Sequence, residues 1–349
     1  MRFYKLLYFS IFLLYTFLVY SNDFSVKKLI YKTKENSFEI PYITSAIKPA
    51  IAKTMNNYLQ EGLFLVKFTD KNYQSNLVDE FVDGDKTFGW SDMKVNSKIA
   101  SRFLMIEIDA EYSAAYPSTQ YETYFFDIET GQPFTIPTLF SLNGYLDFLE
   151  KYWLKNCSAA IKEAYQCAEM TDDVCNYKCF NFDNFYIDND SLKLETNTCF
   201  PHAMQSCDPD VSRQFSINEV KGYLNNYGKY LLGLSMVKAI VPKQYFFIGD
   251  VNGKYKINIA LEIKSNSQIS GYYYYETQKK KIKLTGSITN GVLVLKEYIN
   301  NSFNGVFEIP WKEDLYFLEG IWKNKDNSKN LTTNWQVVYQ YDKRSLMNK

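Results

Sequence analysis

Between Gln244 and Tyr341 the chain breaks into eight short runs: "QYFFIG", "KYKINIALEI", "ISGYYYYE", "KIKLTGSI", "GVLVLKEY", "GVFEI", "YFLEGIW" and "NWQVVYQY". Each is rich in β-branched and aromatic residues, and Gly, Asn and Asp punctuate them at the roughly 8–12-residue spacing of an all-β sandwich or barrel. No helical periodicity interrupts the series. A meander of this kind closes most simply into an up-and-down barrel, because closure removes exposed edges. The expected C-terminal domain, residues 244–349, is therefore all-β, with about eight antiparallel strands in a barrel or sandwich. Gly253, Gly271, Gly291 and Gly305 each precede an alternating run and read as separators, without amounting to a repeat.

Four consecutive tyrosines, Tyr272 to Tyr275, fall inside the third run. In a strand Tyr272 and Tyr274 face one way and Tyr273 and Tyr275 the other, so a single stripe of four is excluded. Half should help fill the interior and half should lie outside. Lys279 to Lys281 read as a charged turn rather than an anion site.

At the other end, Arg2 and Lys5 precede the charge-free "LLYFSIFLLYTFLV", followed by "YSND". A basic flank, an apolar stretch and small residues at Val19 and Ser21 form a signal peptide over residues 1–21. The run is shorter than the ~20 residues a spanning helix needs, so membrane attachment is expected only if this segment stays uncleaved. The chain is expected to be exported, to the periplasm or the extracellular space.

Cysteine usage agrees. All six cysteines, Cys157, Cys167, Cys175, Cys179, Cys199 and Cys207, crowd into one region, as a disulfide framework in an exported chain would. The spacings lack the paired C-x-x-C knuckles of a thiolate zinc site. If Cys157 and Cys167 share one continuous helix, they stand roughly 15 Å apart along its axis. That exceeds the ~7 Å between Cα atoms that a bridge tolerates. Chain reversal after Cys167 then favours Cys167 with Cys175, Cys157 with Cys179, and Cys199 with Cys207.

Between the signal and a linker at 236–243, residues 22–235 mix strands and helices, an α+β pattern with the disulfide-rich segment 157–207 inside it. "SFEIPYI" alternates like a strand, and Ile47, Ile51, Met55 and Leu59 then recur as on a helix that Gly62 can close. "FGWSDMKVNSKIAS", "RFLMIEIDAEYSA" and "QYETYFFDIE" read as three successive strands. In the second, Leu104, Ile106 and Ile108 share one face while Glu107 and Asp109 take the other. Helical character returns from Ile136 to Gln166, then short strands around "NFYIDND" and "SLKLETN", and a helix or turn at "SINEVKGYLNNYG".

The stretch "AEYSAAYPSTQYETYFFDIETGQPFTIPTLFS", Ala110 to Ser141, carries a family resemblance. Its Ala115, Pro117, Phe126, Asp127, Thr130, Gly131, Leu139 and Phe140 resemble the domain of unknown function found outside the membrane in lysozyme-sensing anti-sigma factors. The same domain forms the N-terminal half of a bacterial peptidoglycan deacetylase. The likeness spans roughly residues 35 to 230. It departs at Tyr116, where the family usually has His, and at Ala114, where Gly is frequent. The resemblance implies an α+β extracytoplasmic module that binds, rather than transforms, a cell-envelope ligand such as peptidoglycan or a lysozyme-like protein.

Several chemistries have no footing. With the single histidine His202, a His-rich metal site or a histidine acid–base cluster is excluded. No cofactor fingerprint occurs, and "DGDKTFG" at 83–89 lacks the ligand pattern and closing Glu of a calcium loop. The formal net charge is zero, and loss of Arg2 and Lys5 with the signal leaves a slightly acidic chain. A nucleic-acid partner therefore has no electrostatic footprint. Glu107 and Asp109, two apart on one strand, could serve as a glycan-cleaving pair or simply as a polar outer face. Tyr112, Tyr116, Tyr121 and Tyr124 crowd the family turn and are the candidate binding residues, with sheet packing as the alternative. Three functions remain: a non-catalytic envelope-binding protein, a carboxylate-dependent glycan enzyme, and a small-ligand carrier built on the barrel.

Overall fold

The computed structural model describes residues 23–32, 37–64, 90–113, 117–169, 185–188, 190–194, 200, 202–208, 212–278, 280–311 and 317–340. The expected signal peptide, the 83–89 loop, Tyr116, Cys175, Cys179 and Cys199 lie outside them. The chain divides into two compact units, one ending at Pro133 and one beginning at Phe134. The segment 236–243, expected as a linker, thus lies within the second unit.

The first unit is a five-stranded mixed sheet in the order β1 (Ser25–Lys32), β2 (Ser37–Thr44), β3 (Trp90–Ala100), β4 (Phe103–Ser113), β5 (Pro117–Asp127). Helix α1 (Pro49–Phe64) follows β2 in the chain. It starts at Pro49, where a missing N–H costs nothing, so Ile47 precedes the helix and is exposed rather than on its apolar face. The helix also runs past Gly62, which was expected to close it. Met55, Tyr58 and Leu59 are buried, as are Leu104, Ile106 and Ile108 of β4 and Tyr124 and Phe126 of β5. The Tyr58 ring meets the edges of Phe126 at 5.6 Å and Tyr124 at 6.5 Å, which seats α1 on that face.

Strands β2 and β3 run parallel and pair only at Ser37–Asp92 and Phe38–Met93. Beyond that point side chains replace the ladder. Asn56 of α1 is buried and makes both bonds to the backbone of Ile43, at 2.8 and 2.7 Å. The Glu39 carboxylate accepts from the Val95 N–H at 2.9 Å and pairs with Lys28. The Val95 bond first, then Lys28, holds the Glu39 carboxyl below its usual range. Strand β5 ends in the turn expected at Thr130-Gly131: Gly131 adopts φ +73° and abuts the Ile51 carbonyl, leaving no room for a Cβ.

The second unit opens with a short helix α2 (Ile136–Leu139) and α3 (Leu142–Phe148). A π turn at Leu149–Leu154 leads into α4 (Lys155–Ala168). A three-stranded sheet follows, β6 (Phe185–Asp188), β7 (Ser191–Leu194) and β8 (Arg213–Ser216), then α5 (Ile217–Val220) and α6 (Asn226–Leu231). Asn225 caps α6 and also donates to the carbonyls of Thr138 and Phe140, tying α6 to α2. Strands β1 and β8 have no clear alternation in the sequence and were not anticipated from it.

Cys157 and Cys167 both lie in α4, as the distance argument required, but Cys167 bridges to Cys207, with Cα atoms 5.5 Å apart. The expected pairs Cys167–Cys175 and Cys199–Cys207 are corrected by this bridge. The physical reason is packing: the 3₁₀ turn His202–Cys207 lies against α4, so the helix end finds its partner 40 residues away rather than in the next loop.

Eight strands then form a closed antiparallel barrel: β9 (Gln244–Val251), β10 (Tyr255–Ser265), β11 (Gln268–Tyr275), β12 (Ile282–Thr289), β13 (Val292–Ile299), β14 (Ser302–Pro310), β15 (Phe317–Asn324) and β16 (Asn330–Gln340). Each pairs with its successor, and β16 pairs back onto β9. This is the meander read from the sequence, resolved as a barrel rather than a sandwich. Gly271 and Gly305 prove to lie inside strands, not between them. At Gly286 an added Cβ would stand 1.9 Å from the Val294 carbonyl oxygen, so the backbone of the neighbouring strand β13 approaches where a side chain would be.

An eight-stranded barrel has an interior just wide enough for side chains. Here Phe247, Tyr273, Phe307 and Trp335 fill it at mid-height, with successive ring centroids about 5.5 Å apart. Tyr273 joins this interior, as its alternation requires. Tyr274 points outward yet is 1% exposed. Helix α3 packs on β10 and β11 there, with Tyr145 against Phe246 at 4.0 Å and Asp147 paired with Lys281 at 2.6 Å.

Candidate functional site

The antiparallel register of β3, β4 and β5 builds a polar grid on the face opposite Ile106 and Ile108. Asp109 stands opposite Lys94 on one side and Tyr121 on the other. One row along lie Asn96, Glu107 and Thr123, and in the other direction Asp92, Glu111 and Thr119. Directly opposed residues share a face and sit about 4.5–5.5 Å apart at Cβ, so these nine positions form one patch. Asp109 is at its centre, and Tyr121, on the edge strand β5, is 64% exposed beside it. Lys94 pairs with Asp92 at 3.3 Å, and Asp92 first, then Glu111 and Asp109, raise its ammonium above its usual range. The patch combines an apolar ring bearing a polar tip, four carboxylates and one ammonium. It can grip hydroxyls or cationic side chains.

The four tyrosines marked in the sequence separate. Tyr121 is in the patch. Tyr124 is buried beneath α1, where its hydroxyl bonds Glu122, so it takes the packing role. Burial, and then the Glu122 charge, push the Tyr124 phenol well above its usual range and keep it protonated. Tyr112 lies in β4 opposite Ser118, and Tyr116 falls outside the described residues. Glu107 and Asp109 do share the face expected of them. A glycan-cleaving pair needs one carboxyl kept protonated by an apolar surround. Here Asp109 faces Lys94 and Tyr121, and Glu107 faces Asn96 and Thr123, polar neighbours in both cases.

A second cluster, unanticipated, lies inside the barrel. Glu297 of β13 follows Leu293 and Leu295 on the interior face and is buried. A bulge at Glu297/Tyr298 leaves Asn304 unpaired with any residue of β13 and turns its amide onto the Glu297 carboxylate at 2.6 Å. The Trp322 indole N–H donates to the other oxygen at 2.7 Å. The Tyr273 hydroxyl meets Tyr275 at 3.4 Å, and burial, then the Glu297 charge, lift the Tyr273 phenol far above its normal range. A signal was present: in "VLVLKEY" the carboxylate repeats the parity of the leucines, which no solvent-facing residue would do. This network and the aromatic stack share the barrel interior.

The π turn forms a third feature. There Lys151 and Tyr223 hold the Tyr152 phenol below its usual range, and Arg213 lies 5.7 Å above the Tyr152 ring. Such turns recur at functional sites.

No protein-family model matches the chain, and no curated protein does. Among solved structures, a member of the DUF3298 family from Bacteroides fragilis is similar at 13% identity, covering 61% of this chain and 97% of that one, with a TM-score of 0.36. A DUF3298 protein from Pseudomonas aeruginosa is similar at 10% identity, covering 58% and 93%, with a TM-score of 0.34. The matched region is N-terminal and the barrel lies outside it. Both neighbours are described as members of the DUF3298 family.

Proposed function

We propose that this is a non-catalytic binding protein of the cell envelope, exported to the periplasm or beyond, and that the open face of β3–β5 is its docking surface. The observation that carries the reading is Tyr121, 64% exposed on the edge strand β5 and directly opposite Asp109, with Glu107 and Glu111 in the rows to either side and Asp92 one strand further on. Tyrosine gives large contact area at low entropic cost. Four carboxylates against the single ammonium of Lys94 leave the patch acidic, which favours a basic, lysozyme-like protein over a neutral glycan strand of peptidoglycan. The Cys167–Cys207 bridge is compatible with an oxidising compartment. Among the described residues no helix is long and apolar enough to cross a membrane.

The test is retention of the full chain on immobilised lysozyme and on cell-wall sacculi. Binding to lysozyme that weakens with salt, and that Tyr121→Ala or Asp109→Asn reduces at least tenfold without shifting the melting temperature, supports the proposal. Retention on sacculi alone moves the ligand to peptidoglycan. Retention on neither bait, or turnover of sacculi, overturns it.

A further inference from the structure

Between α6 and β9 the segment 235–243, "SMVKAIVPK", displays apolar side chains at a density that water-facing surfaces avoid. Met236, Val237 and Ile240 are 81%, 76% and 86% exposed, within a span of five positions. The backbone beneath them is held. At one root the N–H groups of Leu234 and Ser235 both bond to the Lys229 carbonyl, at 2.8 and 3.1 Å. The Val237 N–H bonds the Ser235 hydroxyl at 3.1 Å, which fixes the first bend. At the other root the Lys243 carbonyl accepts from the Ile263 N–H at 2.9 Å, pinning the loop to the barrel rim. The three side chains therefore project because the loop is built to present them. The segment carries Lys238 and Lys243, both exposed, and no carboxylate.

We propose that this loop is a membrane-interface anchor. Met236, Val237 and Ile240 insert into the boundary between headgroups and acyl chains, and Lys238 and Lys243 rest on anionic headgroups. Three apolar side chains beside two cations match an interfacial binder, whose affinity combines buried apolar area with attraction to negative lipid. A stable protein interface buries about 800 Å² on each partner, far more than three aliphatic side chains offer. The charge pairing and the small area thus both favour a bilayer over a second copy of the chain. This loop shares no residue with the sheet face proposed above, and the two proposals stand or fall independently.

The experiment is hydrogen exchange of the full chain with and without vesicles, read on the peptide covering 235–243. Vesicles of phosphatidylglycerol should slow exchange in that peptide, and vesicles of phosphatidylcholine should do so much less. The variant Met236→Ser/Val237→Ser/Ile240→Ser should lose the protection and partition onto phosphatidylglycerol vesicles at least tenfold more weakly. Its residues 1–22 are unchanged, so the difference isolates the loop. Lys238→Gln and Lys243→Gln should each weaken partitioning about fivefold at low salt. Exchange unaffected by either vesicle overturns the proposal. So does protection that grows with protein concentration in the absence of lipid, which would assign the loop to self-association. Retention on lysozyme should be the same for the triple variant and the parent.

Discussion

Two adjacent tyrosines make a controlled comparison of what a buried hydroxyl is worth. Tyr273 and Tyr274 are both essentially inaccessible, one inside the barrel and one outside it under α3. The Tyr273 hydroxyl bonds Tyr275 and lies against the Glu297 carboxylate. The Tyr274 hydroxyl is buried without a hydrogen-bond partner among the described residues. Removing each oxygen as Tyr→Phe keeps the ring, so no large cavity enters the comparison. Loss of a hydrogen bond to a charged network costs about 2 kcal/mol, whereas deleting an unsatisfied buried hydroxyl relieves a desolvation penalty of roughly 1 kcal/mol or more. A unit of this size moves about 2–4 °C per kcal/mol. Tyr273→Phe should therefore melt roughly 4–8 °C below the parent, and Tyr274→Phe at or about 2 °C above it. Near-UV circular dichroism on heating and urea midpoints both read this out. A Tyr274→Phe protein that melts as far below the parent as Tyr273→Phe would refute the reasoning, and would place a partner, such as a bound water, on the Tyr274 hydroxyl.

Replacing Cys167 and Cys207 with Ser releases a loop of 40 residues and should cost about 4 kcal/mol by the loop-entropy relation; non-reducing peptide mapping should recover the linked pair directly. Glu276 has its carboxyl raised by burial above the ordinary 4.5, so its ionisation opposes folding. That cost is absent below about pH 4.5 and present once pH exceeds the folded value. Glu276→Gln should thus exceed the parent in urea midpoint at pH 7 and lose the advantage by pH 4, and a pH-independent gain would contradict this. Tyr124→Ala should destabilise the first unit by about 3 kcal/mol through its cavity, whereas Tyr121→Ala should leave the melting temperature within a degree or two.

The barrel was legible because alternation and turn residues act locally, and each of its eight strands pairs with a neighbour in sequence. The tyrosine run gave the strand faces correctly, but not the burial of Tyr274, because the covering helix comes from a segment more than a hundred residues earlier. The disulfide partner was missed for the same reason: spacing excluded Cys157–Cys167 yet could not foresee the 3₁₀ turn packing on α4. In the sheet, alternation placed Glu107 and Asp109 on the face opposite Ile106. Only the register of β5 revealed that Tyr121, and not Tyr124, stands beside Asp109. Glu297 could have been noticed as a charge in phase with leucines; its partners Asn304 and Trp322 depend on a bulge and on a reach past β14 from β15 that no local pattern encodes.

The pairing of β16 with β9 has a kinetic meaning as well. Seven of the eight ladders join consecutive strands and can zip as soon as each hairpin exists. The eighth pairs Asp250 with Asn334 and Val251 with Thr333, and the Thr333 hydroxyl donates to the Asp250 carbonyl 83 positions back. Until β16 arrives, the growing sheet carries two raw edges, one at β9 and one at its advancing strand, each able to capture the same edge of another molecule. Such late, distant closure is slow relative to local pairing. During synthesis this chain therefore passes through a window in which it is a template for aggregation, and its eighth strand ends that window.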